Sequence, residues 1–275
     1  MNYKTILVHA DGSRGLEARL AFAAALALEH DAHLVGVVQT GILRFVCGIP
    51  PDGYLGDMTP LLDDLRASAE QRAAHFDSVA RQAGAVPFEH RIGDEDAGYA
   101  LATQAMYADL VIVGQSDPDD PAAAHAGIPE YVALHAPCPV LVLPYARSFG
   151  PAFERVVVGW NASPESARAV RQALPLLKGA KEVEVAVFDD VRSDAAAMGG
   201  PEVTLLLARH GIAATLCQER AGADPAGDLL TRVAHGRADL LVMGCYGHKR
   251  FREILLGGVS RTVLRDMPVP VLMAH

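Results

Sequence analysis

The sequence predicts an α/β protein made of two tandem, doubly wound units, each a five-stranded parallel sheet with helices on both faces. Three observations carry this. The 275 residues are about twice the usual domain length of roughly 100–150 residues. The same segments recur in the same order in both halves. The apolar runs are short, continuous, rich in β-branched residues and separated by helical patterns, as strands covered on both faces should be. With 51% hydrophobic, 21% charged and 6% aromatic residues, the chain can bury a core and is neither disordered nor collagen-like.

The elements follow in order. Thr5-Ile6-Leu7-Val8-His9-Ala10-Asp11-Gly12-Ser13 and Val156-Val157-Val158-Gly159-Trp160-Asn161-Ala162-Ser163 each read as a strand, an Asx/Ser turn and the start of an Ala-rich helix, with Asp11 matching Asn161 and Ser13 matching Ser163. Ala108-Asp109-Leu110-Val111-Ile112-Val113-Gly114 matches Ala238-Asp239-Leu240-Leu241-Val242-Met243-Gly244, and Pro139-Val140-Leu141-Val142 matches Pro270-Val271-Leu272-Met273. The offset between copies falls by about 20 residues along the chain, so the first copy carries an insertion, placed at the Gly/Pro-rich stretch Thr40 to Pro60. There Phe45, Pro50, Pro51 and Tyr54 form either a plain surface loop or a lid or partner patch. Pro144 to Phe153 is the natural linker, giving domains 1–146 and 153–275. Second-copy strands are expected near Val156–Gly159, Val183–Phe188, Ala213–Cys217, Leu240–Met243 and Val269–Met273. Ser163-Pro164 and Asp224-Pro225 each offer an N-cap followed by proline at the first helical position.

Charge narrows the partners. Lys plus Arg is 24 and Asp plus Glu is 33, a net charge of −9 that argues against nucleic acid and anionic membranes. The acidity belongs to the first half. Residues 1–150 hold 9 basic and 19 acidic residues, and residues 151–275 hold 15 and 14, so an anionic ligand favours the second half. No apolar stretch reaches the roughly 20 residues of a membrane span, and no targeting segment is visible, so a cytoplasmic protein is expected. Cys47, Cys138, Cys217 and Cys245 show no CxxC spacing, and free thiols are expected.

In open parallel sheets, ligands bind beyond the carboxyl ends of the strands, where the strand order reverses. That directs attention to Gly159-Trp160-Asn161 and to Gly244-Cys245-Tyr246-Gly247-His248-Lys249-Arg250. The second segment continues to Gly257-Gly258-Val259-Ser260 and a helix expected from about Arg261. Glycines let backbone N–H groups reach an oxyanion, and a helix N-terminus adds partial positive charge, so together they describe a phosphate cradle. Glycines also serve turns, and a plain turn stays open as the alternative on the glycines alone.

Gly244-x2-Gly247-x9-Gly257 resembles the ATP-binding signature of the universal stress protein family. Glu253-Ile254-Leu255-Leu256-Gly257 and Pro268-Val269-Pro270-Val271-Leu272 are similar to its closing helix and last strand. The resemblance implies two Rossmann-like domains of the HUP, adenine nucleotide alpha hydrolase-like type, packed through their last strands as an internal pseudo-dimer. It also implies ATP or another adenine nucleotide as ligand, with or without Mg²⁺, a cytoplasmic stress-related role, unidentified protein partners and a further pairing of chains as an open question. The family's nucleotide contacts fall on Asn161, Met243, Gly244, Gly247, Gly257, Gly258, Val259 and Ser260, with Gly159 at the same strand end and His248 beside Gly247. Two positions depart from the family. It has an acid where Asn161 stands, and Ser or Thr where Gly258 stands, which removes one neutral phosphate contact of about 1 kcal/mol. Ser260 is a substitute hydroxyl.

In the first copy the signature is read as lost. After Gly114 comes Gln115-Ser116-Asp117-Pro118-Asp119-Asp120-Pro121, with three carboxylates where the cradle should be, and this domain is not expected to bind ATP in the family's way. Asp11 is either an Asx-turn residue or a ligand. His248, Lys249, Arg250 and Arg252 are phosphate contacts or a solvated basic loop. Cys245 reads as an inert thiol unless a helix N-terminus activates it. His30 and His33 lack a third metal ligand, and Asp94-Glu95-Asp96 reads as the acidic lead-in to a helix. P-loop, GxGxxG and GxSxG motifs are absent, and nothing nominates a general base. The leading expectation is a nucleotide-responsive binding and signalling module. Its rivals are a slow ATPase or phosphotransferase and a nucleotide-independent interaction protein.

Overall fold

A computed structural model describes residues 2–48, 57–84, 87–120, 127–189, 199–220, 222–245 and 258–275. The first unit runs β1 (Thr5–His9), α1 (Leu16–His30), β2 (His33–Gln39), α2 (Ile42–Cys47), α3 (Thr59–Gln82), β3 (Phe88–Gly93), α4 (Ala97–Gln104), β4 (Leu110–Gly114), α5 (Ile128–His135) and β5 (Val140–Leu143). The second runs β6 (Arg155–Trp160), α6 (Pro164–Leu177), β7 (Glu182–Asp189), α7 (Gly200–Arg209), β8 (Ala214–Arg220), α8 (Pro225–His235), β9 (Leu240–Gly244), α9 (Gly258–Asp266) and β10 (Val271–Ala274).

All the strands join one sheet in the order β3-β2-β1-β4-β5-β10-β9-β6-β7-β8. Every neighbouring pair is parallel except β5 and β10, which run antiparallel with Leu141 opposite Leu272. The units therefore meet through their last strands, and the order reads the same from either edge. Successive strand residues face opposite sides, as the pleat requires. Ile6 and Val8 join the core beneath α1, α3 and α6, whereas Leu7 joins the core beneath α4, α5, α8 and α9. The repeated Ala-Asp pairs have a shared purpose. Asp109 accepts the backbone N–H groups of Lys4 and Thr5 (2.7 and 2.9 Å), and Asp239 accepts those of Glu154 and Arg155 (2.8 and 3.1 Å). Each acid pins the start of its unit's first strand against the start of the fourth.

The stretch Thr40–Pro60, expected as the insertion, carries a helix of its own and leads into a long one. Residues 42–47 form α2, and further length lies in α3, which has 24 residues where its counterpart α7 has 10. A Cβ at Gly36 in β2 would lie 2.7 Å from the Phe76 ring, so the glycine lets α3 pack directly on the sheet. Ser163 caps α6 as expected, accepting the Ser166 N–H at 3.1 Å. Asp224 precedes Pro225 but makes no capping bond, because its backbone stands at φ −125°, ψ 86° and its carboxylate lies over Gly227. Helix α9 is described from Gly258, so Gly258, Val259 and Ser260 are already helical ahead of the start expected near Arg261.

Candidate functional site

In the second unit the chain leaves β6 toward β7 on one side and β9 toward β10 on the other, so the order reverses between β6 and β9. Gly159 and Met243 face each other in register there, and Ala274 of β10 lies beside Gly244. Because α9 joins two parallel neighbours, it runs back along the sheet and its N-terminus lies at the carboxyl ends of the strands. Gly159, Asn161, Met243, Gly244, Gly258, Val259 and Ser260 thus share one end of the sheet. Gly247, His248, Lys249, Arg250, Arg252 and Gly257, with Pro50, Pro51 and Tyr54 of the first unit, lie outside the described residues.

Local chemistry fixes this end. Asn161 Oδ1 accepts the Ser163 N–H at 3.2 Å, an Asx turn that places Ala162 at φ +58°. Gly244 is needed for clearance, since a Cβ there would meet the Ser166 nitrogen and lie 2.6 Å from the Glu165 carbonyl carbon. The glycine lets the start of α6 close onto β9. At Gly258 a Cβ would meet nothing within 4 Å among the described residues. Ser260 is buried on the face of α9 that carries Val263 and Leu264. Burial, reinforced by the nearby Glu165 charge, pushes the Cys245 thiol up to about 12, which keeps it protonated.

The first unit builds the same corner and then closes it. Asp11 accepts the Ser13 N–H at 2.9 Å and the Ser13 hydroxyl at 2.5 Å, the same Asx turn as at Asn161. Here α1 adds Arg19, at the position of Ala169 in α6. Its guanidinium pairs with Asp11, donates to His9 O at 2.8 Å and packs on the Cα of Gly114. Burial alone would raise the Asp11 carboxyl, but Arg19, His9 and the Ser13 bonds outweigh it and hold it well below its ordinary value of 3.8. The three carboxylates after Gly114 do not stand as an open acidic array. Asp117 and Asp120 are buried, and only Asp119 is exposed. Asp120 accepts the Arg14 N–H at 2.7 Å, Arg14 donates to Asp119 O at 3.0 Å, and Asp117 accepts the Asp119 N–H at 3.0 Å. The chain's own carboxylate thus sits on an N–H at the entry to α1. Nor is the glycine signature wholly lost: Gly127, at φ +103° before α5, is spaced from Gly114 as Gly257 is from Gly244, and Asp117 takes the place of the middle glycine.

Sequence reasoning missed a cavity of about 640 Å³ beside this corner, bounded by His9, Asp11, Thr40, Phe45, Leu65 and Arg72. Its volume is that of a small-molecule site. Arg72 spans it from α3, donating to Gln39 O at 2.8 Å and to the Ser68 hydroxyl at 2.7 Å. No sequence signal marks Leu65 or Arg72, because only the packing of α3 on β2 brings them there. Phe45, read as loop surface or lid, forms part of the cavity wall.

The remaining candidates separate. His30 packs against the Tyr3 ring at 5.0 Å, while His33 lies 3.8 Å from Glu89. Asp96 caps α4 through the Tyr99 N–H at 3.2 Å, and Asp94 accepts the Thr40 hydroxyl at 2.7 Å. All four cysteines are free thiols. Among the described residues no group of three His, Cys, Asp or Glu side chains could hold a metal ion, and no helix is long and apolar enough to cross a membrane.

These features define a tandem, doubly wound α/β protein whose two units build the same strand-end corner, covered in the first unit by Arg19. The chain belongs to the universal stress protein family, which matches residues 2–144 and 152–275. A universal stress protein from Archaeoglobus fulgidus DSM 4304 superposes with a TM-score of 0.75 at 18% identity, covering 98% of this chain and 95% of that one. A protein from Pseudomonas aeruginosa UCBPP-PA14, named for the same family, gives 0.58 at 19% identity over 99% and 93%. A universal stress protein from Archaeoglobus fulgidus in complex with dAMP aligns with 52% of this chain and 98% of its own, at 20% identity and a TM-score of 0.36. No curated protein matches the chain.

Proposed function

We propose that the second unit, residues 153–275, binds one adenine nucleotide, ATP with or without Mg²⁺, and that the chain is a cytoplasmic binding and signalling module responsive to it. The contacts are Gly159, Asn161, Met243, Gly244, Gly247, His248, Gly257, Gly258, Val259 and Ser260. The observation that carries this reading is the meeting, at one switch point, of a strand end cleared by Gly244 and the first turn of α9 at Gly258, where a Cβ meets none of the described residues. Backbone N–H groups there supply the donors that a phosphate needs, and the helix end supplies partial positive charge. The first unit takes no triphosphate, since Asp120 holds the Arg14 N–H and Arg19 covers Gly114. Phosphate contacts at this end change the surface offered to partners.

The test is a titration with ATP and Mg²⁺, followed by the fluorescence of Trp160, the single tryptophan, with stoichiometry from calorimetry. One nucleotide per chain, lost in Gly247→Val, is the expected result. Two per chain overturns the reading of the first unit, and no binding at millimolar nucleotide overturns the proposal.

A further inference from the structure

Gln115 follows Gly114 at the end of β4 in the first unit, yet its side chain serves the second. Its amide nitrogen donates to Leu264 O at 2.9 Å and to Arg265 O at 2.7 Å. Those carbonyls belong to the last turn of α9, where helical carbonyls have no intrahelical partner. The chain beyond, Met267-Pro268-Val269-Pro270, contains two prolines with no N–H to offer. Gln115 is itself held on three sides. It is buried, its backbone N–H donates to Leu143 O at 2.8 Å, and its Oε1 accepts the Tyr145 N–H at 3.4 Å.

The equivalent position in the second unit is Cys245, whose backbone N–H donates to Ala274 O at 2.9 Å just as Gln115 donates to Leu143. The backbones correspond, and the side chains do not. Cys245 Sγ reaches across to Ala133 O of α5 at 3.4 Å, a weak thiol donor in place of a two-armed amide. The two crossing straps are therefore unequal. The strong one runs from the unit whose corner is closed to the helix whose first turn belongs to the proposed nucleotide site. That helix has nine residues, so its two ends lie about 13 Å apart. Among the described residues nothing lies within 4 Å of a Cβ position at its leading Gly258, and Ser260 is buried with Val263 and Leu264.

We infer that Gln115 is a positioning residue for the second unit's nucleotide site: by holding Leu264 and Arg265 it fixes α9 along its axis, and so sets where the N–H groups of Gly258 to Ser260 meet a phosphate. The inference rests on the nucleotide reading above. It also gives the first unit a role in that site, because Gln115 is joined to Gly114, on which Arg19 and its Asp11 pair are packed. Linkage makes the effect reciprocal, since a nucleotide at the N-terminus of α9 must tighten the Gln115 contact at the other end.

Two measurements test it, with ATP and Mg²⁺ as the probe. In Gln115→Leu, which keeps the bulk and removes both donors, calorimetry on protein shown to be folded by circular dichroism should give about tenfold weaker binding with the stoichiometry unchanged. A residue that served stability alone would lower the melting temperature and leave the affinity of the folded protein untouched, and that result overturns the inference. In the wild-type protein, the side-chain NH₂ resonances of Gln115 should shift and exchange more slowly on nucleotide addition. If they are unmoved at saturation the inference fails, even where Gln115→Leu does not fold. Failure of the wild-type protein to bind nucleotide at all is a different outcome, which removes the nucleotide reading itself.

Discussion

The corner after the first strand is the same turn in both units, Asp11 to Ser13 in one and Asn161 to Ser163 in the other, and it is put to opposite uses. In the first unit the turn carries a charge, a buried arginine answers it, and that arginine covers the neighbouring strand end at Gly114. In the second unit the turn is neutral, alanine stands where the arginine would be, and the backbone of α6 closes on Gly244 instead. A single helix position, Arg19 against Ala169, thus separates a strand end covered by a guanidinium from one met only by the backbone of α6 among the described residues.

The sharpest way to break this comparison is to remove the turn side chain in each unit. Asp11→Ala leaves the Arg19 guanidinium buried without its carboxylate and should cost about 3 kcal/mol in urea unfolding. Asn161→Ala loses one exposed turn bond, should cost less than about 1 kcal/mol, and should show instead as roughly tenfold weaker nucleotide binding by calorimetry. Equal stability losses would show that the two corners are equivalent after all.

The motif glycines should differ by a smaller margin. Gly244→Ala drives a Cβ into backbone at Glu165 and Ser166 and should cost about 2 kcal/mol, whereas the Cβ of Gly114→Ala meets the end of the Arg19 side chain and should cost about 1 kcal/mol. Thermal unfolding of the two variants measures the difference. Smaller again is Gly258→Ser. Its side chain meets none of the described residues at the start of α9, restores a hydroxyl at the proposed phosphate position, and should strengthen nucleotide binding about fivefold. Unchanged affinity would detach that helix end from the ligand.

Least visible at neutral pH is the titration of Asp11. Its carboxyl is held below its ordinary value of 3.8, so the ion pair contributes its full stability above that pH and loses it as the pH falls through the lower folded value. The melting temperature of the wild type should therefore decline in acid, and Asp11→Asn should flatten that part of the decline. The same acid-range slope in both proteins would mean that other carboxylates carry it.

Much of this was readable in the chain. The repeated Ala-Asp-Leu segments marked the fourth strand of each unit, although only the fold showed that Asp109 and Asp239 pin the first strands. The Ser163 cap and the Asp96 lead-in to α4 were legible because both are local, acting within one turn of the residue that forms them. Arg19, Arg72 and Gln115 were not. In sequence they are one polar position in an Ala-rich helix, one charge among many in α3, and one residue in an acidic loop. Their partners lie on other strands or in the other unit, at separations that no pattern encodes.

The sequence by itself determined the two-copy architecture, the buried parallel strands, the turns at Asp11 and Asn161 and the glycine spacing of the second unit, because each follows from local periodicity, local hydrogen bonding or the absence of a Cβ. Only the tertiary structure decided that the corner at Asp11 is closed, that a cavity opens under α3, and that the first unit holds the far end of α9. Those outcomes depend on which side chains meet once ten strands have aligned, and a buried charge or an orphan carbonyl takes whatever partner the packing brings within reach.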